Sequence, residues 1–156
     1  MREDKLSIAI FAQEESIFIS RILQFVLDRQ GSHKYIVEEV VLFKPSRHNK
    51  TKFDWFQERI KMFRFHELFI LFYVFIYTTV SNIIYRGDSK FNIKGILKRN
   101  KVHFSKCRDL NSKRFVEKIK SKNLDLIISI SCPQIFKTDL IRSTNRGCIN
   151  VHGTLL

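Results

Sequence analysis

The chain has 156 residues, of which 44% are apolar and 28% are charged, so it can bury a core of its own, and a disordered or low-complexity protein is excluded. Its three cysteines, Cys107, Cys132 and Cys148, are widely separated, which argues against a disulfide framework and against a zinc knuckle. The N-terminus mixes acidic side chains with a short apolar run, unlike a secretory signal peptide. We therefore expect one cytoplasmic domain without a bound metal.

The net charge of +13 is unevenly distributed along the chain. Residues 45–123 hold 19 Lys and Arg against 6 Asp and Glu, whereas residues 1–44 hold 6 against 7 and residues 124–156 hold 3 against 2. A solvated lysine-rich surface is one interpretation of this basic middle segment. The other is a surface that meets phosphate in a nucleic acid, a nucleotide or a lipid headgroup.

A strand, a helix and a second strand are predicted in the first third of the chain. The apolar run Lys5–Phe11 predicts the first strand, and apolar residues at helical spacing after a Ser16 cap predict a helix that ends near Gln30. Tyr35–Phe43 is rich in valine and predicts the second strand. This order is typical of a parallel α/β sheet. The turn after the first strand lacks glycine, so we do not expect a nicotinamide or flavin dinucleotide.

The segment 53–85 allows three interpretations, because Leu68–Ile76 is apolar all round. A transmembrane helix needs about 20 apolar residues, and hydroxyl and amide side chains dilute the second half of the uncharged run Leu68–Ile84. An interfacial helix would use the basic residues that flank this run. We favour a helix buried against the sheet, or one half-covered by a further part of the protein.

A short helix or loop, a brief strand and a further helix are expected in the basic region that follows. Lys90–Asn100 predicts a short basic helix or loop, and Val102–Phe104 predicts a brief strand. Asn111 or Ser112 is expected to cap a helix with a narrow apolar stripe and a lysine-rich outer face, which Asn123 ends.

The last third of the chain predicts two more strands. Leu124–Ile130 is an unbroken apolar run, typical of a strand that is buried on both faces. A short helix over residues 136–141 and a second strand that begins at Cys148 follow. Since side chains alternate along a strand, Asn150 and His152 point to the same face, roughly 7 Å apart. A polar pair at a strand end either holds a loop by hydrogen bonds or forms part of a site.

Three stretches of this chain resemble one known family. They are Asn111-Ser112, the strand at Leu124 with its Ser-Cys-Pro-Gln-Ile-Phe continuation to Phe136, and the terminal Gly-Cys-Ile-Asn-Val-His-Gly-Thr-Leu-Leu of residues 147–156. Together they resemble the formyltransferases that use 10-formyltetrahydrofolate, which include methionyl-tRNA formyltransferase and sugar N-formyltransferases. The resemblance implies a Rossmann-like α/β fold with a mostly parallel sheet flanked by helices. It implies that residues 1–156 are an N-terminal catalytic domain that is incomplete at its C-terminus.

The resemblance also implies roles for particular residues. In the family a formyl group moves from N10 of the folate to an amine. The formyl oxygen must therefore be stabilised as it gains negative charge, and the amine must lose a proton. Asn150 and His152 match the family's Asn and His, and an imidazole suits the proton role because it titrates near neutrality. Four residues, Pro133, Gln134, Ile135 and Phe136, match the loop that lines the folate pocket. Cys132 beside them is expected to pack as a small apolar residue.

The family's Asn and His act with a later aspartate that no residue here matches, since Asp125 and Asp139 precede the motif. We therefore expect a fragment or truncated product that is inactive by itself. For the formyl acceptor we favour an amino sugar, including a nucleotide-linked one, or a related small amine. The first alternative is methionyl-tRNA. The second is a non-catalytic basic module that binds a membrane surface through residues 59–86, which we favour less.

Overall fold

The computed structural model of the chain describes residues 5–14, 18–43, 64–85, 92–132 and 134–151. Five strands among these residues form one sheet in the order β3-β2-β1-β4-β5, and every neighbouring pair is parallel. The strands are β1 (Leu6–Gln13), β2 (Tyr35–Phe43), β3 (His103–Lys106), β4 (Leu126–Ile130) and β5 (Cys148–Val151). The helices are α1 (Phe18–Arg29), α2 (Phe65–Ile84), α3 (Ile93–Arg99), α4 (Lys113–Lys120) and α5 (Thr138–Ile141). The predicted α/β fold with a parallel, Rossmann-like sheet is confirmed.

The predicted elements occur in the predicted order, with small changes at their ends. The strand expected at Tyr35–Phe43 has those bounds, and the basic segment before β3 is a helix whose Asn92 side chain accepts hydrogen bonds from Lys94 N and Gly95 N. Ser112 is the N-cap of α4, but its hydroxyl donates to the carbonyl of Asp109 instead of capping the helix. The predicted cap at Ser16 lies outside the described residues.

Both faces of the sheet are covered, which explains why the strands are continuous apolar runs. Ile8, Ile10 and Ala12 of β1 point to the face that α1 and α3 cover. Ala9 and Phe11 point to the opposite face, where α4 and α5 pack. Consecutive residues of β1 therefore belong to two separate cores, as the alternation of side chains in a strand requires.

Sharp turns hold β4 and β5 in place at their amino ends. Gly147, immediately before β5, has φ of +84°, and Asn123, three residues before β4, has φ of +48°. Glycine and asparagine adopt this left-handed conformation at the lowest cost. The carboxylate of Asp125 accepts a hydrogen bond of 2.8 Å from Ser7 N, which joins the start of β4 to the start of β1.

Helix α2 departs from one of the two arrangements that we favoured, burial against the sheet, whereas a helix half-covered by a further part of the protein stays a prediction. Its large apolar side chains are mostly exposed, among them Phe72 at 63% and Ile83 at 70%, whereas Thr78 and Ser81 are buried. The helix is thus not buried against the sheet along its apolar surface. Within the described ranges, no helix is both long enough and apolar enough to cross a membrane.

Candidate active site

A cavity of about 420 Å³ lies beside β5 and the carboxyl-terminal half of β4. Its wall brings together two groups of residues that the sequence singled out separately, Asn150 and the loop residues Gln134–Phe136. Ser129, Cys132, Ile141, Cys148 and Ile149 complete the wall. In open parallel sheets, ligands bind at the carboxyl ends of the strands. The volume falls within the range of small-molecule sites, which is roughly 300–1,000 Å³.

Asn150 is positioned by the parallel pairing of β5 with β4. Its Cα partner is Ser129, and the exposed Asn150 follows Cys148 on the same side of the strand. Ser129 is buried, with 3% of its surface exposed, and is the only hydroxyl residue within the five residues of β4. A polar pair thus stands side by side across two strands that are otherwise apolar. The amide of Asn150 can donate to an oxygen atom of a molecule in the cavity.

The loop after β4 is fastened to the segment that precedes α4. The Gln134 side chain accepts from Leu110 N at 3.0 Å and donates to the carbonyl of Arg108. Asn111 provides a second link, because its amide donates to Ile135 O at 3.0 Å and accepts from Lys137 N at 2.8 Å. Since both ends of the Gln134 amide are occupied by backbone groups, this side chain fixes the shape of the loop.

Aromatic packing attaches the same loop to the core. Phe136 meets Phe11 of β1 edge to face, with ring centroids 5.7 Å apart. Ile135, by contrast, is 88% exposed beside the cavity. The chain enters the loop through Ser131, whose φ of +50° turns the backbone sharply at the end of β4. The loop therefore combines a fixed backbone with one large apolar side chain that is free to contact a ligand.

The two cysteines in the cavity wall are poor nucleophiles. Burial raises the pKa of the Cys148 thiol to about 11. Burial also raises the pKa of Cys132, despite hydrogen bonds from Gln134 and Ser129 that oppose this effect. Both thiols are therefore protonated at neutral pH, and the thiolate is the reactive form. Packing, the role we expected for Cys132, is consistent with this protonation state.

Two of the predicted site residues, Pro133 and His152, lie outside the described residues, so their roles stay predictions. Asp125 lies at the amino end of β4, at the opposite end of the sheet from the cavity, where its carboxylate bonds to Ser7 N. It is therefore not available to orient a group at Asn150.

Sequence reasoning did not select Ser129, Cys148 or the clamp formed by Asn111. Ser129 could have been found, because a hydroxyl inside an apolar buried strand needs a polar partner or a ligand. The two bonds from the Asn111 side chain to Ile135 and Lys137 could not have been found from the sequence. Asn111 fits a helix cap equally well, and both partners lie more than twenty positions away.

No family model matches this chain. The chain is 43% identical over 51 residues to methionyl-tRNA formyltransferase of Clostridioides difficile strain 630. This match covers 33% of the chain and 16% of that protein. It is 30% identical over 100 residues to methionyl-tRNA formyltransferase of Blochmanniella floridana. This match covers 60% of the chain and 31% of that protein. The chain thus spans about a third or less of the curated relatives it matches. The chain is therefore similar to the N-terminal part of these two formyltransferases.

Proposed function

We propose that this chain forms the folate-binding and catalytic part of an enzyme that transfers a formyl group from 10-formyltetrahydrofolate to the amine of methionyl-tRNA. One observation carries the proposal. Asn150 and the 134–136 loop, which match the family's catalytic and folate-binding positions, line a single cavity at the carboxyl ends of the strands. The names of the two relatives support the tRNA acceptor.

The chemistry assigned to Asn150 and His152 is acyl transfer. The acceptor amine attacks the formyl carbon, a C–N bond forms, and the formyl oxygen gains negative charge in a tetrahedral intermediate. The Asn150 amide donates to that oxygen, and an amide donor of this kind contributes about 3–4 kcal/mol to transition-state stabilisation in other acyl transfers. His152 accepts the proton of the amine and returns one to N10 as the bond from N10 to the formyl carbon breaks.

The donor site is assigned to the loop between β4 and α5. Gln134 and Asn111 hold the loop backbone against the segment before α4, so its remaining backbone groups are presented in a fixed array. A pterin ring, which has donors and acceptors in one plane, is suited to such an array. Ile135 supplies apolar surface for one face of the ring because it is 88% exposed beside the cavity.

For the acceptor, the proposal departs from the preference that the sequence led us to. From the sequence we favoured an amino sugar or related small amine, although a basic segment suits a nucleotide-linked sugar and a tRNA equally well. The two relatives are named for methionyl-tRNA, and neither name refers to a sugar. Methionyl-tRNA is therefore the acceptor to test first.

The decisive experiment compares acceptors with the full-length product of the gene and 10-formyltetrahydrofolate labelled in the formyl group. Label should enter methionyl-tRNA and should not enter a nucleotide-linked amino sugar. His152→Ala and Asn150→Asp should each lower kcat by about 100-fold or more. His33→Ala is the matched control, because His33 is exposed at the far end of β2 and should leave kcat unchanged. Wild-type activity in His152→Ala would overturn the assigned roles, and label in the sugar alone would overturn the acceptor.

A second candidate function deserves a test because of one observation, the exposed apolar surface of α2. Exposed apolar surface of this extent marks interaction sites in soluble proteins. In this alternative, the chain binds a membrane surface through the region of residues 59–86, and Asn150 is structural. Co-sedimentation with anionic vesicles distinguishes the two, since this alternative requires binding that salt weakens and that Phe72→Ser abolishes.

A further inference from the structure

The charge surplus of the described residues is confined to one segment. Residues 92–123 carry eleven Lys and Arg and two Asp and Glu, for a net charge of +9. The other described ranges are close to neutral: 5–14, 18–43 and 64–85 each have a net charge of zero, and residues 124–132 with 134–151 have +1. The segment 92–123 consists of α3, β3, α4 and their connections.

The fold gathers this segment around one edge of the sheet. β3 is the outer strand on the side of β2 among the residues that the structure describes. α3 lies on the face that holds Ile8 and Ile10, and α4 lies on the opposite face with Phe11. Basic side chains from both helices therefore flank the same strand, so their charges reinforce one another at that edge.

A cluster of polar side chains fixes two of these lysines at the edge, and we call it the edge cluster. Glu39 of β2 is fully buried and contacts Lys118 Nζ at 2.8 Å and Lys122 Nζ at 3.1 Å. Ser105 donates to the same carboxylate at 2.6 Å, and His103 Nε2 lies 3.9 Å away. One carboxylate neutralises only one of the two ammonium groups. Both lysines remain partly exposed, at 42% and 31%, so the cluster presents an excess positive charge in a fixed position.

One member of the edge cluster, Ser105, lies level with Asn150 of the candidate active site. Asn150 pairs with Ser129, Ser129 with Phe11, Phe11 with Val41, and Val41 with Ser105. These five residues form one row across the sheet, and residues in one row of a parallel sheet point to the same face. Four strand spacings separate the two ends of the row, a distance of about 19 Å.

We propose that this basic edge binds the phosphodiester backbone of an RNA whose reactive end occupies the cavity at Asn150. The inference rests on the proposed function and extends it by assigning the surface that holds the tRNA. An RNA fits better than a lipid bilayer, because no large apolar side chain is exposed anywhere in residues 92–123. Binding to a membrane surface needs apolar side chains that enter the bilayer as well as charge.

The test measures binding of a fluorescein-labelled methionine tRNA transcript by anisotropy, in potassium chloride from about 50 to 200 mM. The variant Lys101→Gln with Lys122→Gln removes two charges but leaves Glu39 bonded to Lys118 and Ser105. It should weaken binding about 5–10-fold and lower the salt slope by about one to two. Lys34→Gln with Arg146→Gln removes the same charge outside the segment and should change affinity less than about 2-fold.

Glu39→Gln supplies a test of opposite sign, because it removes the negative charge that pairs with Lys118 and Lys122 and should strengthen RNA binding about 2–5-fold. If the ion pairs of Glu39 only stabilise the fold, the affinity for RNA should not increase. Equal weakening by the two double variants would overturn the proposal, since net charge alone would then explain binding. So would loss of binding to phosphatidylserine vesicles in Lys101→Gln with Lys122→Gln while RNA binding persists.

Formyl transfer by the full-length protein gives an independent readout. The Lys101→Gln and Lys122→Gln pair should raise KM for methionyl-tRNA and leave kcat unchanged. If wild-type protein transfers no formyl group to tRNA but binds RNA through this edge, the proposed function fails and the binding surface stands. If it transfers formyl groups and the variant has the wild-type KM and RNA affinity, the binding surface alone is overturned.

Discussion

Single residues connect the core of this protein to its candidate site. Phe11 is fully buried and its ring lies 5.8 Å from that of Phe115 and 5.7 Å from that of Phe136. One side chain of β1 therefore packs both α4 and the loop that lines the cavity. Glu39 joins several elements in the same way through polar contacts, because this β2 residue bonds to Ser105 of β3 and to Lys118 of α4.

Phe11→Ala should lower the free energy of unfolding by about 3–5 kcal/mol, because it removes a buried ring and leaves a cavity beside the rings of Phe43, Phe115 and Phe136. Urea denaturation followed by circular dichroism measures the change. Phe25→Ala is the matched control, because Phe25 is exposed and contacts only the Arg29 guanidinium among the interactions described for it, so it should cost about 1 kcal/mol or less. Equal losses in both variants would contradict the central position of Phe11.

Glu39 should make stability depend on pH. Burial alone would raise the pKa of Glu39, but contacts from Lys118, Ser105 and Lys122 outweigh it and hold the pKa below its ordinary value of 4.5. A carboxylate with a lowered pKa stabilises the fold above its unfolded-state pKa, and that stability is lost as the pH falls through the folded-state value. Unfolding free energies at neutral pH and at about pH 3 should therefore differ more in the wild type than in Glu39→Gln. Glu38→Gln, at the exposed neighbouring position, should keep the wild-type pH dependence.

At the scale of elements, turns decide where β4 and β5 start and how the cavity is closed. The connection from α5 to β5 ends at Gly147 in a left-handed conformation, and Thr144 Oγ1 donates to the Gly147 carbonyl at 2.8 Å. β5 then begins at the next residue, which sets the register that brings Asn150 beside Ser129. The cavity wall thus depends on a backbone angle that most residues avoid.

Gly147→Ala should cost about 1–2 kcal/mol of unfolding free energy through its backbone angle alone. A Cβ atom there would meet only the Ile141 Cγ2 atom at 4.0 Å, which is an ordinary contact. Gly31→Ala is the matched control, because a Cβ atom at Gly31 meets nothing within 4 Å and its φ is not left-handed. That change should be neutral or slightly stabilising. Thermal or urea unfolding of the two variants gives the comparison, and equal stabilities would contradict the role of the angle.

At the scale of the whole molecule, charge and apolar surface are separated. The described part of α2 and its ends is neutral and exposes large apolar side chains, whereas residues 92–123 carry a net charge of +9 and expose none. An extended apolar surface that faces water favours association. The basic edge and the apolar helix therefore provide two chemically different surfaces for partners.

Phe72→Ser with Ile83→Ser should leave the unfolding free energy within about 0.5 kcal/mol of wild type, since both side chains are exposed. The same variant should reduce concentration-dependent association, measured by sedimentation velocity. Leu23→Ala is the destabilising control, because the fully buried Leu23 should cost about 2–5 kcal/mol. A large loss of stability in the α2 variant would show that this helix is buried in solution.

Local pattern in the sequence determined the strands and the helices. The runs Tyr35–Phe43 and Leu124–Ile130 predicted strands correctly, because apolar pattern acts over a few neighbouring residues. Asn150 and the 134–136 loop were selected from short motifs, and both line the same cavity.

Only the tertiary structure decided which distant residues meet. The exposure of α2 could not be read from its composition, since an apolar helix looks the same whether it is buried or not. The edge cluster joins residues up to 83 positions apart, Glu39 to Lys122, and exists because parallel strands need crossover connections that carry α3 and α4 to opposite faces. The sequence showed that the middle of the chain is basic, and the crossovers gathered that charge at one edge of the sheet.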